Sequence, residues 1–260
     1  MKQTTPTLQL KTKQTEILTL LYRFRFLNRN QIQILLTHKY HSRILNWLNE
    51  LTDLKLIIKS YDKSFTTDPA VYQLDKSARK YLKDNSKLNI KPLNRLWRET
   101  KYSPQLEKHC LFLVDIYFSL IEFTVKLKSE LHFHAKTDLY GMANLIDPKP
   151  DAYFAIENKE TIKRYFLDIL DDLPPMVLRR RVKQYFEYFD SDQWQDNTDK
   201  PFPDIILVCP NRRIKSHLFY YIQNKISDDF EINFYLTTWD ILKDKGMCQK
   251  SLEKVKPKEI

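Results

Sequence analysis

The chain has 260 residues, enough for one large domain or two smaller ones, and carries a formal net charge of +10. This charge predicts a polyanionic partner, with nucleic acid ahead of an anionic membrane surface; the alternative is a basic surface without a partner. Only 2 glycines occur, which excludes a glycine-rich phosphate loop and disfavours nucleotide-hydrolysing motors and dinucleotide enzymes.

Cysteine content and hydropathy predict a cytoplasmic protein. The 3 cysteines lie far apart and form no CxxC pair, which predicts neither a disulfide framework nor a structural zinc site and fits a reducing compartment. The first residues are too polar for a signal peptide. No apolar run approaches the length of about 18 residues that a transmembrane helix needs, so no membrane partner is expected.

Residues 1–84 predict a winged helix-turn-helix domain. Apolar side chains recur at helical spacing over residues 11–26, and Asn28 or Asn30 can cap a short second helix. A third helix, capped by Ser42, carries one apolar stripe. Two strands joined by a polar loop then lead into a fourth helix. Three helices followed by a two-stranded wing form the order of a winged helix, whose third helix enters the major groove.

The exposed side of the third helix and the wing supply the candidate contacts to double-stranded DNA. Arg and Asn can form paired hydrogen bonds with guanine and adenine edges, whereas lysines meet phosphates and position the protein. The candidates are Tyr40, His41, Ser42, Arg43, Asn46 and Trp47 on the helix and its entry, with Lys59 and Lys63 in the wing. The alternative is a winged helix that binds protein, with Trp47 packed against the next domain.

The remaining chain predicts a linker at residues 85–102, an α/β domain at residues 103–246 and a mobile charged tail at residues 247–260. The order in the domain is helix, three meandering strands, helix, strand, helix, strand and a short helix. The segment "PDIILVCP" is typical of a buried central strand. This order predicts a mixed sheet covered by helices.

Two strands of this domain bring two acids together. If residues 157–162 connect the strands, antiparallel pairing with a constant index sum places Phe154 beside Tyr165 and Asp151 beside Asp168. Facing carboxylates repel unless a cation or a proton lies between them. A divalent metal such as Mg²⁺ or Mn²⁺ is one solution, and it can activate water against a phosphate. An ordinary hairpin with polar residues on its wet face is the other interpretation.

These residues resemble a known family. Pro150-Asp151, an acid deep in the next strand and the basic helix that follows are similar to the PD-(D/E)xK, or restriction-endonuclease-like, fold. Together with the winged helix they resemble the replication-relaxation family of plasmids and integrative elements, which includes the C-type mobilisation relaxases. The segments "LEKHCLFLVDIY" and "LRRRVKQYFEYF" carry the rest of the resemblance.

The resemblance implies roles for particular residues. Asp151 and Asp168 would bind Mg²⁺ or Mn²⁺ in an active enzyme, with Glu107 as a further acid. Leu170 stands where the nuclease pattern needs a lysine, so Lys183 or Arg181 from the following helix would have to supply that charge. Other mobilisation or replication proteins are the further partners that the resemblance implies.

Three functions stay open at this point. The first is a DNA-binding or initiator protein, acting at an origin of replication or transfer, whose nuclease-like domain no longer cuts. The second is a metal-dependent nickase, a relaxase, at such an origin. The third is a transcription regulator whose C-terminal domain binds a protein.

Three further patterns have two interpretations each. His132 and His134 fall on one face of a strand, as a metal pair or as ordinary strand histidines, and "RRRVK" is either a DNA-backbone stripe or a solvated helix face. Tyr185 is interpreted first as a core residue and only second as a tyrosine that attacks DNA.

Overall fold

The computed structural model describes residues 9–61, 69–85, 103–142, 144–226 and 231–258. The chain forms two compact units, Met1–Val114 and Asp115–Ile260. Lys63 and most of the predicted linker lie outside the described residues. The predicted domain boundaries stay a prediction.

The first unit is a winged helix. Its elements are α1 (Thr12–Phe24), β1 (Phe26–Asn28), α2 (Arg29–Leu35), α3 (His41–Asp53), β2 (Ile57–Ser60), β3 (Val71–Leu74) and α4 (Ala78–Asn85). The strands form an antiparallel sheet in the order β1-β3-β2. The predicted helix order and the two-stranded wing are therefore confirmed.

Two local features of this unit differ from the predictions. Residues 26–28 leave the first helix and form β1, because Leu27 pairs with Tyr72 of the wing, a contact that helical spacing does not reveal. Ser42 does not cap α3, which begins one residue earlier at His41 without a side-chain cap. At α2 the cap is Asn28, whose Oδ1 accepts from the Gln31 amide at 2.9 Å.

The second unit is built around a six-stranded mixed sheet. After α5 (Pro104–Lys126) come β4 (Glu130–Ala135), α6 (Lys136–Leu139), β5 (Ala152–Glu157), β6 (Ile162–Ile169), α7 (Pro175–Asp190), α8 (Gln193–Thr198), β7 (Asp204–Cys209), α9 (Arg212–Gln223), β8 (Phe234–Thr238), α10 (Trp239–Lys245) and β9 (Glu253–Lys254). The strand order is β4-β5-β6-β7-β8-β9. The first three strands form the predicted antiparallel meander, and β6, β7 and β8 run parallel. The predicted mixed-sheet α/β fold is confirmed.

Both faces of the sheet are buried. On one face Phe154 stacks on Tyr165, with ring centroids 4.9 Å apart. On the other face Phe166 contacts Tyr185 of α7 and Trp194 of α8 at centroid distances of 6.1 and 5.3 Å. The acid pair belongs to this second face, so the idea of a wet face on the hairpin is wrong there.

The predicted mobile tail is also wrong for residues 247–258. Met247 and Val255 are buried, and β9 pairs antiparallel with β8 at the sheet edge. The charged pair Glu253-Lys254 is exposed, which explains why composition alone predicts a tail. No helix within the described ranges has the length and apolarity needed to cross a bilayer.

Candidate nucleic-acid interface and acid pair

Helix α3 presents a polar face to solvent. Ile44, Leu48 and Leu51 bury its opposite face. Arg43 and Asn46 are exposed, and so are Tyr40, His41 and Ser42 at the start of the helix. The helix therefore presents the guanidinium of Arg43 and the side-chain amide of Asn46 to a binding partner. The two residues are three positions apart and lie on the same side of the helix.

Two other residues of α3 are engaged inside the unit. Trp47 is half-buried and meets the His38 ring edge-on, with centroids 5.0 Å apart. His38 also contacts the backbone of Tyr40 through Nδ1. Glu50 accepts from Lys11 Nζ at 3.0 Å and from Gln14 Nε2 at 2.6 Å. Trp47 thus shapes the turn that leads into α3, and Glu50 ties α3 to α1.

On the described strands of the wing, Lys59 carries a charge. Lys59 lies on β2, and its Nζ is 4.9 Å from the centre of the Tyr61 ring. The hydrogen bond to Tyr61 raises the pKa of Lys59, so this ammonium is fully charged at neutral pH. Lys59 is therefore a candidate phosphate contact.

Asp151 and Asp168 face one another, as the sequence predicts. Ala152 pairs with Leu167, Phe154 with Tyr165 and Ile156 with Lys163, which is the predicted register. The Asp151 amide donates to Asp168 Oδ1 at 3.3 Å, and the Ile169 amide donates to Asp151 Oδ2 at 2.9 Å. Both side chains are buried.

Two cations of the chain neutralise this pair. Lys136 Nζ lies 3.1 Å from Asp151 Oδ1. Arg181 donates to Asp168 with both Nε, at 2.5 Å, and Nη2, at 3.2 Å. Arg181 Nη1 also donates to the Pro148 carbonyl at 2.8 Å. This two-point contact is the strong geometry of an Arg-carboxylate pair, and it joins α7 to β6.

Tyr185 completes the cluster from the core side. Its hydroxyl donates to Asp168 Oδ2 at 2.9 Å and lies 3.1 Å from Arg181 Nη2. Burial, together with the negative charge of Asp168, raises the pKa of Tyr185 well above its ordinary value. The buried phenol therefore keeps its proton and donates a hydrogen bond to Asp168, which is the role expected of a core residue. A protonated, buried phenol is also a poor nucleophile.

The charge states of the two cations follow from the same contacts. Burial opposes the charge of Lys136, but Asp151 and Asp168 raise its pKa overall. For Arg181 burial likewise opposes the charge, and the interaction with Asp168 raises the pKa overall. Both cations are therefore charged at neutral pH.

A divalent metal does not fit this donor set. Each of the four carboxylate oxygens already accepts a hydrogen bond from Lys136, Ile169, Asp151, Arg181 or Tyr185. An ion on these oxygens would have to compete with the ammonium of Lys136 and the guanidinium of Arg181. Over the ranges that the structure describes, no three His, Cys, Asp or Glu side chains are grouped closely enough to hold a metal.

The other predicted members of the nuclease site have different surroundings. Lys183 is exposed on α7 and pairs with Glu187 at 3.0 Å. Glu107 lies in the first turn of α5 and belongs to the first compact unit, whereas both acids belong to the second. Of the two candidate cations, Arg181 alone reaches the acid pair.

Sequence reasoning missed Lys136, although the pattern contained a signal for it. Strand β4 pairs with β5 so that Ala135 lies opposite Ala152. The next pair outward is Lys136 and Asp151, whose backbones are joined by a 2.8 Å hydrogen bond. Extending the constant index sum by one residue would have placed a lysine beside the first acid. The two strand histidines do not form a metal pair, since His132 Nε2 contacts Glu157 Oε2 at 2.9 Å and His134 stacks near Tyr153.

These features define a class: a winged helix on the same chain as a mixed-sheet α/β domain with a buried acid pair. The model of the replication-relaxation family matches residues 18–205. The chain belongs to that family. No curated protein is significantly similar to it.

Solved structures with some similarity have low scores. A point mutant of Lactococcus lactis ZitR is 16% identical over 47% of this chain and 80% of its own, with a TM-score of 0.28. Restriction endonuclease FokI is 13% identical to this chain. The match covers 92% of this chain and 45% of FokI, with a TM-score of 0.31. The DNA-bound FokI structure gives 14% identity, 90% and 44% coverage, and a TM-score of 0.28. The chain thus spans less than half of FokI, and similarity at this level defines neither fold nor function.

Proposed function

We propose that this protein is a sequence-specific, double-stranded-DNA-binding protein of a plasmid or integrative element, and that it acts at an origin of replication or transfer. The winged helix reads the site. The nuclease-like domain holds DNA or another replication or mobilisation protein without cutting the strand. Membership of the replication-relaxation family supports the replication context.

The exposed polar face of α3 carries the proposal. Arg43 and Asn46 lie on it without an ion pair or hydrogen bond to the parts of the chain that the structure describes. Their chemistry matches the paired contacts that guanine and adenine present in the major groove. Lys59 on the wing adds a charge for the backbone, and the net charge of +10 favours association with DNA.

The acid pair supports binding in preference to cleavage. Nuclease chemistry of this type needs a metal on the two carboxylates, and here their oxygens are held by Lys136 and Arg181. The lysine position of the nuclease pattern is Leu170, which is buried. The acid pair therefore has a structural role and holds β5, β6 and α7 together.

A binding experiment tests this function. Duplexes that the full chain binds are selected from a random library, and affinity for them is compared with affinity for unselected duplex at several salt concentrations. Arg43→Ala and Asn46→Ala should each weaken specific binding by about 5-fold to 150-fold, the equivalent of one lost bidentate base contact, while unselected duplex is bound nearly as before.

Lys159→Ala is the matched control, because it removes one exposed charge from the β5–β6 turn. It should leave the ratio of specific to non-specific affinity unchanged. Equal ratios for the wild-type chain, Arg43→Ala and Asn46→Ala would remove α3 from the groove. Failure to select any duplex, with no loss of affinity on adding salt, would favour the protein-binding regulator.

A further inference from the structure

The outer face of α9 has an unusual composition. Residues 210–226 contain five basic or histidine side chains and no Asp or Glu. Ile214, Leu218 and Ile222 bury one side of the helix against the core. The rest of the outer surface is formed by two adjacent rows at a spacing of four residues, which lie side by side on a helix; Tyr221 in the first of them is half-buried against the core. The first row is Arg213, His217, Tyr221 and Lys225, and the second is Arg212, Ser216, Tyr220 and Asn224.

Cations on this face have no acidic partner within the described ranges. Arg212, Arg213 and Lys225 are exposed, and none forms an ion pair with any residue that the structure describes. By contrast Lys215, which belongs to neither row, pairs with Glu253 at 2.6 Å. Uncompensated charges that are grouped on one side of a helix favour an anionic partner.

Helix α7 adds to the first row. Arg179 Nε donates to His217 Nε2 at 2.9 Å. The Arg179 guanidinium carbon lies 5.2 Å from the centre of the Tyr221 ring, and Lys225 Nζ lies 5.7 Å from it. The contacts hold Tyr221 between two cations and fix Arg179 on the surface.

Tyr220 points to the kind of anion. Its side chain is 64% exposed beside these cations, a large exposure for an aromatic residue. The faces of bases in a duplex are already stacked, whereas those of a single strand are available to an aromatic ring. Cations that follow a backbone, interleaved with aromatic rings on which bases stack, are the elements of a single-strand binding surface.

We infer that the two rows of α9, with Arg179, form a binding surface for single-stranded DNA. We call it the α9 surface. It uses none of the residues of the winged helix and so goes beyond the proposed duplex-binding function. Helix α9 has 12 residues, which is about 18 Å along its axis, and Lys225 lies just beyond its end.

Binding of fluorescent oligo(dT) to the full chain, followed at several salt concentrations, tests the inference. The double variant Arg213→Ala/Lys225→Ala should lower the slope of log affinity against log salt by about 1.4, since each lost single-strand phosphate contact accounts for about 0.7. Tyr220→Ala should weaken oligo(dT) binding by about tenfold, and Tyr220→Phe should restore most of the loss, because the ring that stacks is kept.

Controls separate this surface from general charge and from the winged helix. Lys159→Ala/Lys200→Ala removes two exposed cations elsewhere in the same unit, and it should keep the wild-type slope on oligo(dT). Arg43→Ala should reduce selected-duplex binding but leave oligo(dT) binding intact. The α9 variants should show the reverse, so that failure of either proposal can be told from failure of the other.

Three results would overturn the α9 assignment. One is an oligo(dT) affinity and salt slope that the α9 variants share with the wild-type chain. Another is an equal loss in the Lys159→Ala/Lys200→Ala control. The last is a loss of affinity in the α9 variants that is equally large for oligo(dT) and for either unselected duplex or vesicles of anionic lipid.

Discussion

Arg181 and Lys183 lie two residues apart on α7 and have opposite surroundings. Arg181 is largely buried and donates twice to Asp168, whereas Lys183 is exposed and pairs with Glu187. Both were candidate cations, because the sequence shows a basic helix after two acids but not which side chain turns inward. Arg181 lies one helical turn before the buried Tyr185 and therefore on the same side of α7. This spacing is the sequence signal that favours Arg181 over Lys183 as the inward-facing cation.

Removal of Arg181 should be costly for the fold. Arg181→Met leaves the buried carboxylate of Asp168 without its cation, and we expect the free energy of unfolding to fall by about 3–5 kcal/mol. Chemical denaturation followed by circular dichroism measures this change. Adding Asp168→Asn to Arg181→Met should recover part of the loss, because the uncompensated charge is removed.

Lys183→Met is the matched control on the same helix. Its ion pair is exposed at both ends, so the change should stay below about 1 kcal/mol. Equal losses in the Arg181→Met and Lys183→Met variants would show that Asp168 does not depend on Arg181.

At the scale of elements, local patterns predict most of the fold and non-local pairing accounts for the errors. Helical spacing locates α3, α5, α7 and α9, and alternation locates β5 and β6 with their register. Strand β1 is missed because its pairing with β3 joins residues far apart in the chain. Strand β9 is missed because one buried residue, Val255, holds a polar segment on the sheet edge.

Short elements are difficult for a different reason. Helices α6 and α8 have 4 and 6 residues, which is less than two turns and too few for a period to appear. Helix α6 nevertheless matters, because it begins with Lys136. The position of the two acids could therefore be predicted from strand register. Which cations contact them depends on how neighbouring elements pack against these strands.

The start of α2 gives a prediction with an internal control. Sequence alone allowed Asn28 or Asn30 as the cap, and in the structure Asn28 accepts from the Gln31 amide. Asn28→Ala should cost about 1 kcal/mol of stability, the usual value for a lost N-cap. Thermal or denaturant unfolding checks this, and Asn30→Ala, at an exposed position, should change stability by much less. The opposite ranking would contradict the assigned cap.

At the scale of the whole molecule, two units carry complementary chemistry. The first unit offers an exposed polar face on α3 and the ammonium of Lys59 on β2. The second carries a six-stranded mixed sheet whose acids are paired with Lys136 and Arg181, together with the exposed cations of α9. The net charge of +10 favours DNA binding by the chain. Family membership supports the replication context.

The most direct test uses supercoiled plasmid that carries a selected binding site, incubated with the full chain in EDTA, Mg²⁺ or Mn²⁺. Retardation of the DNA and formation of nicked circles are read on the same gel. With the acid pair closed by Lys136 and Arg181, the protein should bind equally in all three buffers and leave the plasmid supercoiled. Nicked circles that form only with metal, and disappear in both Asp151→Asn and Asp168→Asn, would contradict the account and establish a nickase.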